Sequence, residues 1–187
     1  MKVFKLILPL VITLAGCGST PTQVVVAPDF IQTNELPLNI SQISLAVKDL
    51  RASKHLVQIL KEGQAANLFN SQQPISEIIE NTLADALKSR NISIDNTAQP
   101  AITVSVEKAL VNVEQQTLKY KSNSDLLVNV DVQTALGKMT KSYHHKGTSE
   151  GALKADIAVL GRDFNQALTK VLNQILTDQE LFNYINQ

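Results

Sequence analysis

The pattern of apolar and polar positions predicts a strand-rich domain. Ile43, Leu45 and Val47 alternate with polar or small residues, which is the period of a half-buried strand. Similar alternation or short apolar runs predict further strands at 56–60, 65–69, 102–113, 126–133 and 138–145. Glu62-Gly63 offers a turn between the second and third strands, and Gly137 offers one before the last. Within 102–113 the apolar phase slips by one residue, which indicates a bulge or a bend.

Two longer segments have the period of a helix instead. Pro74 suits a first helical position, and Asn91 suits a left-handed stop. The apolar stripe between them consists of Ile75, Ile78, Ile79, Leu83, Ala86 and Leu87. A second helix is predicted over about 154–176, with a stripe of Ile157, Leu160, Phe164, Leu168, Val171, Leu172 and Ile175. Thr177 or Asp178 then caps a short helical tail.

The order of elements is β-β-β-α-β-β-β-α with that tail. Runs of strands with one-faced helices favour an α+β fold, in which two amphipathic helices cover one face of a mostly antiparallel sheet in a two-layer sandwich. The other face would meet water or a partner; it carries Ser44, Thr103, Ser105, Asn129, Asp131 and Gln133. The strand at 138–145 is polar on both faces, so we expect it at a sheet edge.

The N-terminus has a different layout. Two lysines precede an apolar stretch at 6–14, and small residues follow it. This arrangement predicts a secretory signal over residues 1–16, since the apolar stretch is too short for the roughly 20 residues of a spanning helix. The alternative, a buried element of the domain, fits poorly because nothing polar alternates within 6–12.

The tetrapeptide Leu14-Ala15-Gly16-Cys17 resembles the bacterial lipobox. The resemblance implies that a diacylglycerol is attached to the Cys17 thiol, that the signal is cut before Cys17, and that the new amine is acylated. Gly18 in place of Asp resembles the pattern of lipoproteins sent to the outer membrane, on its periplasmic side. Residues 17–37 are then a lipidated cysteine and flexible tether, and 38–187 a single domain; for the triple valine at 24–26, a short docked strand remains an alternative.

The composition and charge of the chain argue against several classes of partner and binding site. The chain has 187 residues, 17 basic and 17 acidic, and loss of Lys2 and Lys5 with the signal would leave 15 against 17, a net charge of −2. Nucleic acid is therefore an unfavourable partner, and there is no polybasic segment for an anionic membrane. A single cysteine excludes an internal disulfide and multi-cysteine zinc sites.

Catalytic motifs are not evident, so we expect no enzyme, no metal and no cofactor beyond the lipid. His144 and His145 are neighbours in a strand and point to opposite faces, so they cannot share one ion. Asp49, Glu107 and Asp131 could do acid–base chemistry only if the fold brought them together, and surface charge is the preferred interpretation.

Several segments in order resemble one family. They are Lys138 to Tyr143, Glu150-Gly151-Ala152-Leu153, the long helix ending Leu176-Thr177-Asp178, and the closing Leu181-Phe182-Asn183-Tyr184-Ile185. Together they look like the YajG family of uncharacterised bacterial lipoproteins. The resemblance implies a lipid-anchored envelope protein of unknown biochemical role and supplies no active-site residues.

Three functions follow as hypotheses. The leading one is a non-enzymatic module that is held at the membrane by its lipid and contacts another envelope protein or the cell-wall layer. The alternative is a periplasmic lipid or glycolipid carrier, which needs an aliphatic cavity between helices and sheet. The third, a cell-wall hydrolase, needs convergent polar groups in a cleft.

Overall fold

A computed structural model describes residues 22–29 and 39–187 of the chain. It contains the predicted strands and helices in the predicted order, with two further two-residue strands. The strands are β1 Gln23–Val24, β2 Gln42–Asp49, β3 Val57–Lys61, β4 Asn67–Ser71, β5 Ser93–Ile94, β6 Ala101–Gln115, β7 Lys119–Thr134 and β8 Gly137–Ala152. The helices are α1 Ile75–Ser89, α2 Ile157–Thr177 and α3 Gln179–Ile185. The fold is therefore α+β, as predicted.

The sheet is mixed, and the prediction of a mostly antiparallel sheet is wrong. Along one edge, β6 pairs antiparallel with β7; along the other it pairs parallel with β2 and then with β3. Among the described residues four of the seven pairings are parallel, since β1 with β4 and β2 with β5 are parallel too. A parallel neighbour requires a crossover, which here runs through α1 between the early strands and β6. Element order alone does not show strand direction.

Three local predictions along β6 to β8 are confirmed. The register of β6 shifts between Val106 and Lys108, where the apolar phase slips. Gly137 turns β7 into β8 with a φ of 151°, a backbone conformation that favours glycine. Within the described part of the chain β8 pairs with β7 alone, so this polar strand lies at an edge.

The helices begin and end close to the predicted residues. Asn91, after α1, has a φ of 62° and so is the left-handed stop that the sequence suggests. At the start of α2 the Asp156 carboxylate accepts the Ala158 N–H at 2.8 Å. At the start of α3 Asp178 accepts the Leu181 N–H at 3.0 Å, which decides between the two predicted caps.

One hydrophobic core joins the helices to the sheet. It combines the stripes of α1 and α2 with alternate residues of β6 and β7, and Leu160, Val104 and Val128 are fully buried in it. Aliphatic burial of this kind is the main favourable contribution to stability. In the part of the chain that the structure describes, no helix is long and apolar enough to cross a bilayer.

Candidate functional site: the groove beside residues 22–29

The predicted lipidation residues, Leu14, Ala15, Gly16 and Cys17, lie outside the described residues, as does the whole predicted signal over 1–16. Most of the predicted tether, at 17–21 and 30–37, lies outside them as well. Residues 22–29 are described, and they begin five residues beyond Cys17. Among the described residues, this segment is the nearest in sequence to Cys17.

Residues 22–29 lie against the domain, which is the docked alternative that the triple valine left open. β1 pairs parallel with β4, and the Gln72 N–H donates to the Val24 carbonyl at 2.9 Å. Val24 is 1% exposed and Val26 is buried, whereas Val25 between them is 63% exposed. The alternation shows that one side of the segment joins the core.

The first half of α2 packs against the other side of residues 22–29. The Ala27 N–H donates to Asn165 Oδ1 at 3.2 Å, and Asn165 Nδ2 donates to the Val25 carbonyl at 3.3 Å. One turn earlier, Gly161 leaves room for Val24: a Cβ at Gly161 would lie 3.1 Å from Val24 Cγ1. Residues four apart share a helix face, so Gly161 and Asn165 together fit one extended segment.

An open groove of about 500 Å³ runs beside the docked segment. Gln23 and Val25 line it from the segment, and Ile157, Arg162 and Gln166 line it from α2. Because the segment is one of its walls, the shape of the groove depends on the docking contacts.

The histidine pair behaves as the strand geometry requires. His144 Nε2 lies 2.6 Å from Asp125 Oδ1. Burial alone would raise the pKa of Asp125, but hydrogen bonds from His144 and Lys108 outweigh it, so this pKa is lowered. His145 points to the other side of β8, where burial and the charge of Lys170 lower its pKa. Among the described residues, no three His, Cys, Asp or Glu side chains are grouped to hold a metal ion.

The three candidate carboxylates have separate partners. Asp49 binds Arg51 bidentately, with both nitrogen–oxygen distances 2.9 Å, and also contacts Lys54. Burial opposes ionisation of Asp49, but Arg51 outweighs it and lowers the pKa to about 2. Glu107 accepts from Asn129 Nδ2 at 3.3 Å.

Asp131 lies on the polar surface of β7 and β8. It accepts from the Thr140 hydroxyl and forms an ion pair with Lys138 at 3.2 Å. The Thr140 hydrogen bond, with the nearby lysine charges, lowers the pKa of Asp131. Two residue pairs along the same strands, Asn129 Oδ1 accepts from Ser142 Oγ at 2.7 Å. Polar side chains on this surface therefore bind one another across the strands.

The structure contains two polar clusters that the sequence did not predict. Arg51 is buried where β2 ends, and its guanidinium also donates to the Ala109 carbonyl at 3.3 Å, just beyond the β6 bulge. The Asp49-x-Arg51 spacing is the only local signal for it. The second cluster joins Lys141 and Tyr143 of β8 to Asp178, with distances of 2.7 and 2.8 Å. Nothing in the sequence brings positions so far apart together.

The comparisons with known proteins agree with one another. The family model described as "Uncharacterized lipoprotein" matches residues 31–186. The chain is 23% identical to the uncharacterised lipoprotein YajG of Escherichia coli K12 over 98% of its own length and 97% of that protein. The YajG protein of Escherichia coli O6:H1 matches with the same identity and coverage.

A solved structure supports the fold. Protein XCC0632 from Xanthomonas campestris superposes with a TM-score of 0.60 at 13% identity, covering 88% of this chain and 97% of that one. At such identity the similarity concerns the fold alone. With the family model over most of the chain and YajG over nearly all of it, this protein belongs to the YajG family of uncharacterised lipoproteins.

Proposed function

We propose that the protein is anchored by lipid on Cys17 to the outer membrane, on its periplasmic side, and acts there as a non-enzymatic module. In this proposal the domain contacts another envelope protein or the cell-wall layer. Family membership supports the lipid anchor, and the tetrapeptide ending at Cys17 supports its position. Each buried CH₂ of the acyl chains contributes about 0.8 kcal/mol, so several chains together give stable anchoring.

The observation that carries the proposal is the docking of residues 22–29. Gln23 is six residues from Cys17, and six residues span at most about 20 Å. A lipid on Cys17 would therefore hold the folded domain beside the bilayer, with no long free tether. A module placed in this way contacts partners at or near the membrane surface.

The non-enzymatic part of the proposal is supported by the partners of the candidate groups. Of the candidate carboxylates, Asp49 is bound to Arg51 and Asp131 to Thr140 and Lys138, and the pKa of each is lowered. A general acid or base at neutral pH needs the opposite shift for a carboxyl group.

The lipid-carrier alternative gains no support from the packing. An acyl-chain cavity between helix and sheet would leave accessible surface on the side chains lining it. Phe164, Leu168 and Val171 of the α2 stripe are at most 1% exposed. These residues fill the space between α2 and the sheet in which an acyl chain would have to bind.

The test of the anchor is Cys17→Ser in the intact precursor. We expect no incorporation of labelled palmitate and no cleavage before residue 17, whereas Ser19→Ala, two residues away, should be processed normally. Labelled palmitate in the Cys17→Ser chain would refute the proposal. Crosslinking of the native protein in its envelope, followed by identification of the attached partner, tests the contact that the module makes.

A further inference from the structure

Two exposed leucines lie side by side at one end of the long strands. Leu118 is in the turn between β6 and β7 and is 72% exposed; Leu153 directly follows β8 and is 66% exposed. The Leu153 N–H donates to the Leu118 carbonyl at 2.7 Å. We call this pair the leucine tip.

The backbone at the leucine tip is held in a strained conformation. Leu153 has a φ of 65°, in the left-handed region that leucine rarely adopts. The Gln115 side chain maintains it, since Nε2 donates to the Leu153 carbonyl at 2.9 Å and Oε1 accepts the Ala155 N–H at 2.8 Å. The exposed Leu153 side chain adds nothing to the core, although its backbone is strained. We therefore infer that Leu153 contacts something outside the domain.

The direction of β1 indicates on which side of the domain the proposed anchor lies relative to the leucine tip. Register through β4 and β3 places Gln23 level with about residue 110 of β6 and makes β1 antiparallel to β6. Thr22, which precedes Gln23, therefore lies on the side of Gln23 that faces the end of β6 at Gln115. That end is about 17 Å farther along the strands, and Cys17 is at most about 20 Å from Gln23.

We propose that the leucine tip rests in the surface of the bilayer that holds the lipid anchor. The inference depends on the proposed function, because the anchor brings this end of the sheet to the membrane. Lys119 and Lys154 each follow one of the leucines and are exposed, which suits a headgroup layer containing anionic lipids. Glu62 and Glu114 lie at the same end, so the leucines rather than net charge make the contact.

The test uses the lipidated chain in vesicles. When Cys17 carries lipid, an introduced cysteine is the single free thiol. Leu118→Cys and Leu153→Cys, labelled with nitrobenzoxadiazole, report on the leucine tip. The matched control is Leu136→Cys, because Leu136 is 73% exposed and lies in the β7–β8 turn at the opposite end of the same strands.

The vesicles contain phosphatidylethanolamine and phosphatidylglycerol, with a spin-labelled lipid as quencher. We expect quenching by that lipid to be several times stronger at 118 and 153 than at 136, with protection from aqueous iodide at 118 and 153 alone. Hydrogen exchange of the unsubstituted lipidated chain gives a second measurement. Exchange at 116–119 should be slower on vesicles than in an unlipidated chain that begins at residue 18, measured in solution, with no change at 135–137.

Failure of this inference is distinguishable from failure of the anchor. If the protein floats with the vesicles and its N-terminal mass shows the acyl chains, but all three probes stay equally exposed to iodide, the bilayer contact is refuted while the anchor stands. If the probes at 118 and 153 are shielded equally without vesicles, a second copy of the chain covers the leucines, and the inference is also refuted. Absence of acyl mass and of flotation would instead refute the proposed function.

Discussion

Asn165 binds Ala27 across 138 positions of sequence, with 3.2 Å between Oδ1 and the backbone nitrogen. The same amide donates to the Val25 carbonyl, so one side chain satisfies two backbone groups of an extended segment as a neighbouring strand would. A helix residue thereby holds a segment that lies only a few residues beyond the proposed lipid site.

Asn165→Ala should loosen residues 22–29 with little effect on the rest of the fold. The backbone groups of Val25 and Ala27 are exposed enough to be rehydrated, so we expect a loss of about 1 kcal/mol in the free energy of unfolding. Hydrogen exchange at Ala27 and protease cleavage within 22–29 should both accelerate. Gln174→Ala, an exposed position on the same helix, is the control; equal behaviour of the two variants would show that Asn165 does not hold the segment.

The neighbouring valines give a matched pair. Val24→Ala removes two methyl groups from a side chain that is 1% exposed, so we expect a loss of about 2 kcal/mol, limited by the docking free energy itself. Val25→Ala, at 63% exposed, should change the free energy of unfolding by less than about 0.5 kcal/mol. Urea denaturation measures both. A Val24→Ala variant as stable as Val25→Ala would contradict burial of the segment.

The Asp178 cluster predicts a difference between two acidic partners of Lys141. Asp178→Ala removes the α3 cap and the acceptor of the buried Tyr143 hydroxyl, so we expect a loss of about 2–3 kcal/mol. Glu180→Ala removes a 73% exposed partner at 2.8 Å and should cost less than about 1 kcal/mol. Thermal or urea unfolding distinguishes them, and a loss below about 1 kcal/mol for Asp178→Ala would mean that the Asp178 contacts do not stabilise the fold.

Asp49 predicts a dependence of stability on pH. Its pKa is about 2 in the folded protein against 3.8 for the unperturbed group, so folding favours the ionised form. The resulting stabilisation, about 2 kcal/mol, is present above pH 4 and is lost as the pH falls through 2. Asp49→Asn should therefore lose stability at neutral pH, and its unfolding free energy should fall less than that of the wild type between pH 5 and pH 2.

Lys54→Gln is the control for Asp49, since Lys54 contacts the same carboxylate but is 63% exposed. It should keep the pH dependence of the wild type because Arg51, 4% exposed, remains in place. If Asp49→Asn and wild type lose equal stability on acidification, Arg51 does not hold the folded pKa of Asp49 down.

Local pattern sufficed where neighbours in sequence are neighbours in space. The helix stop at Asn91, the turn at Gly137 and the phase slip at the β6 bulge each depend on a few consecutive residues, and each is where the pattern indicates. The family was also predicted correctly: its model matches residues 31–186, and YajG matches nearly the whole chain.

The direction of the strands and the position of residues 22–29 against α2 depend on contacts that no local pattern contains. The mixed sheet arises because β2 and β3 share one edge of β6, and either direction of pairing satisfies the same alternation of apolar residues. In the sequence, Asn165 is an ordinary polar position of α2. Its role is evident only from its hydrogen bonds to Val25 and Ala27 in the structure.

The sequence by itself determined the strands, the helices and the membership in a lipoprotein family, since these follow from short-range periodicity and ordered segments. Only the tertiary structure decided which edge of β6 each early strand joins, which cations hold the carboxylates, and that residues 22–29 belong to the folded domain. Those outcomes depend on the packing of residues far apart in the chain, where burial and hydrogen bonding are set by position in space.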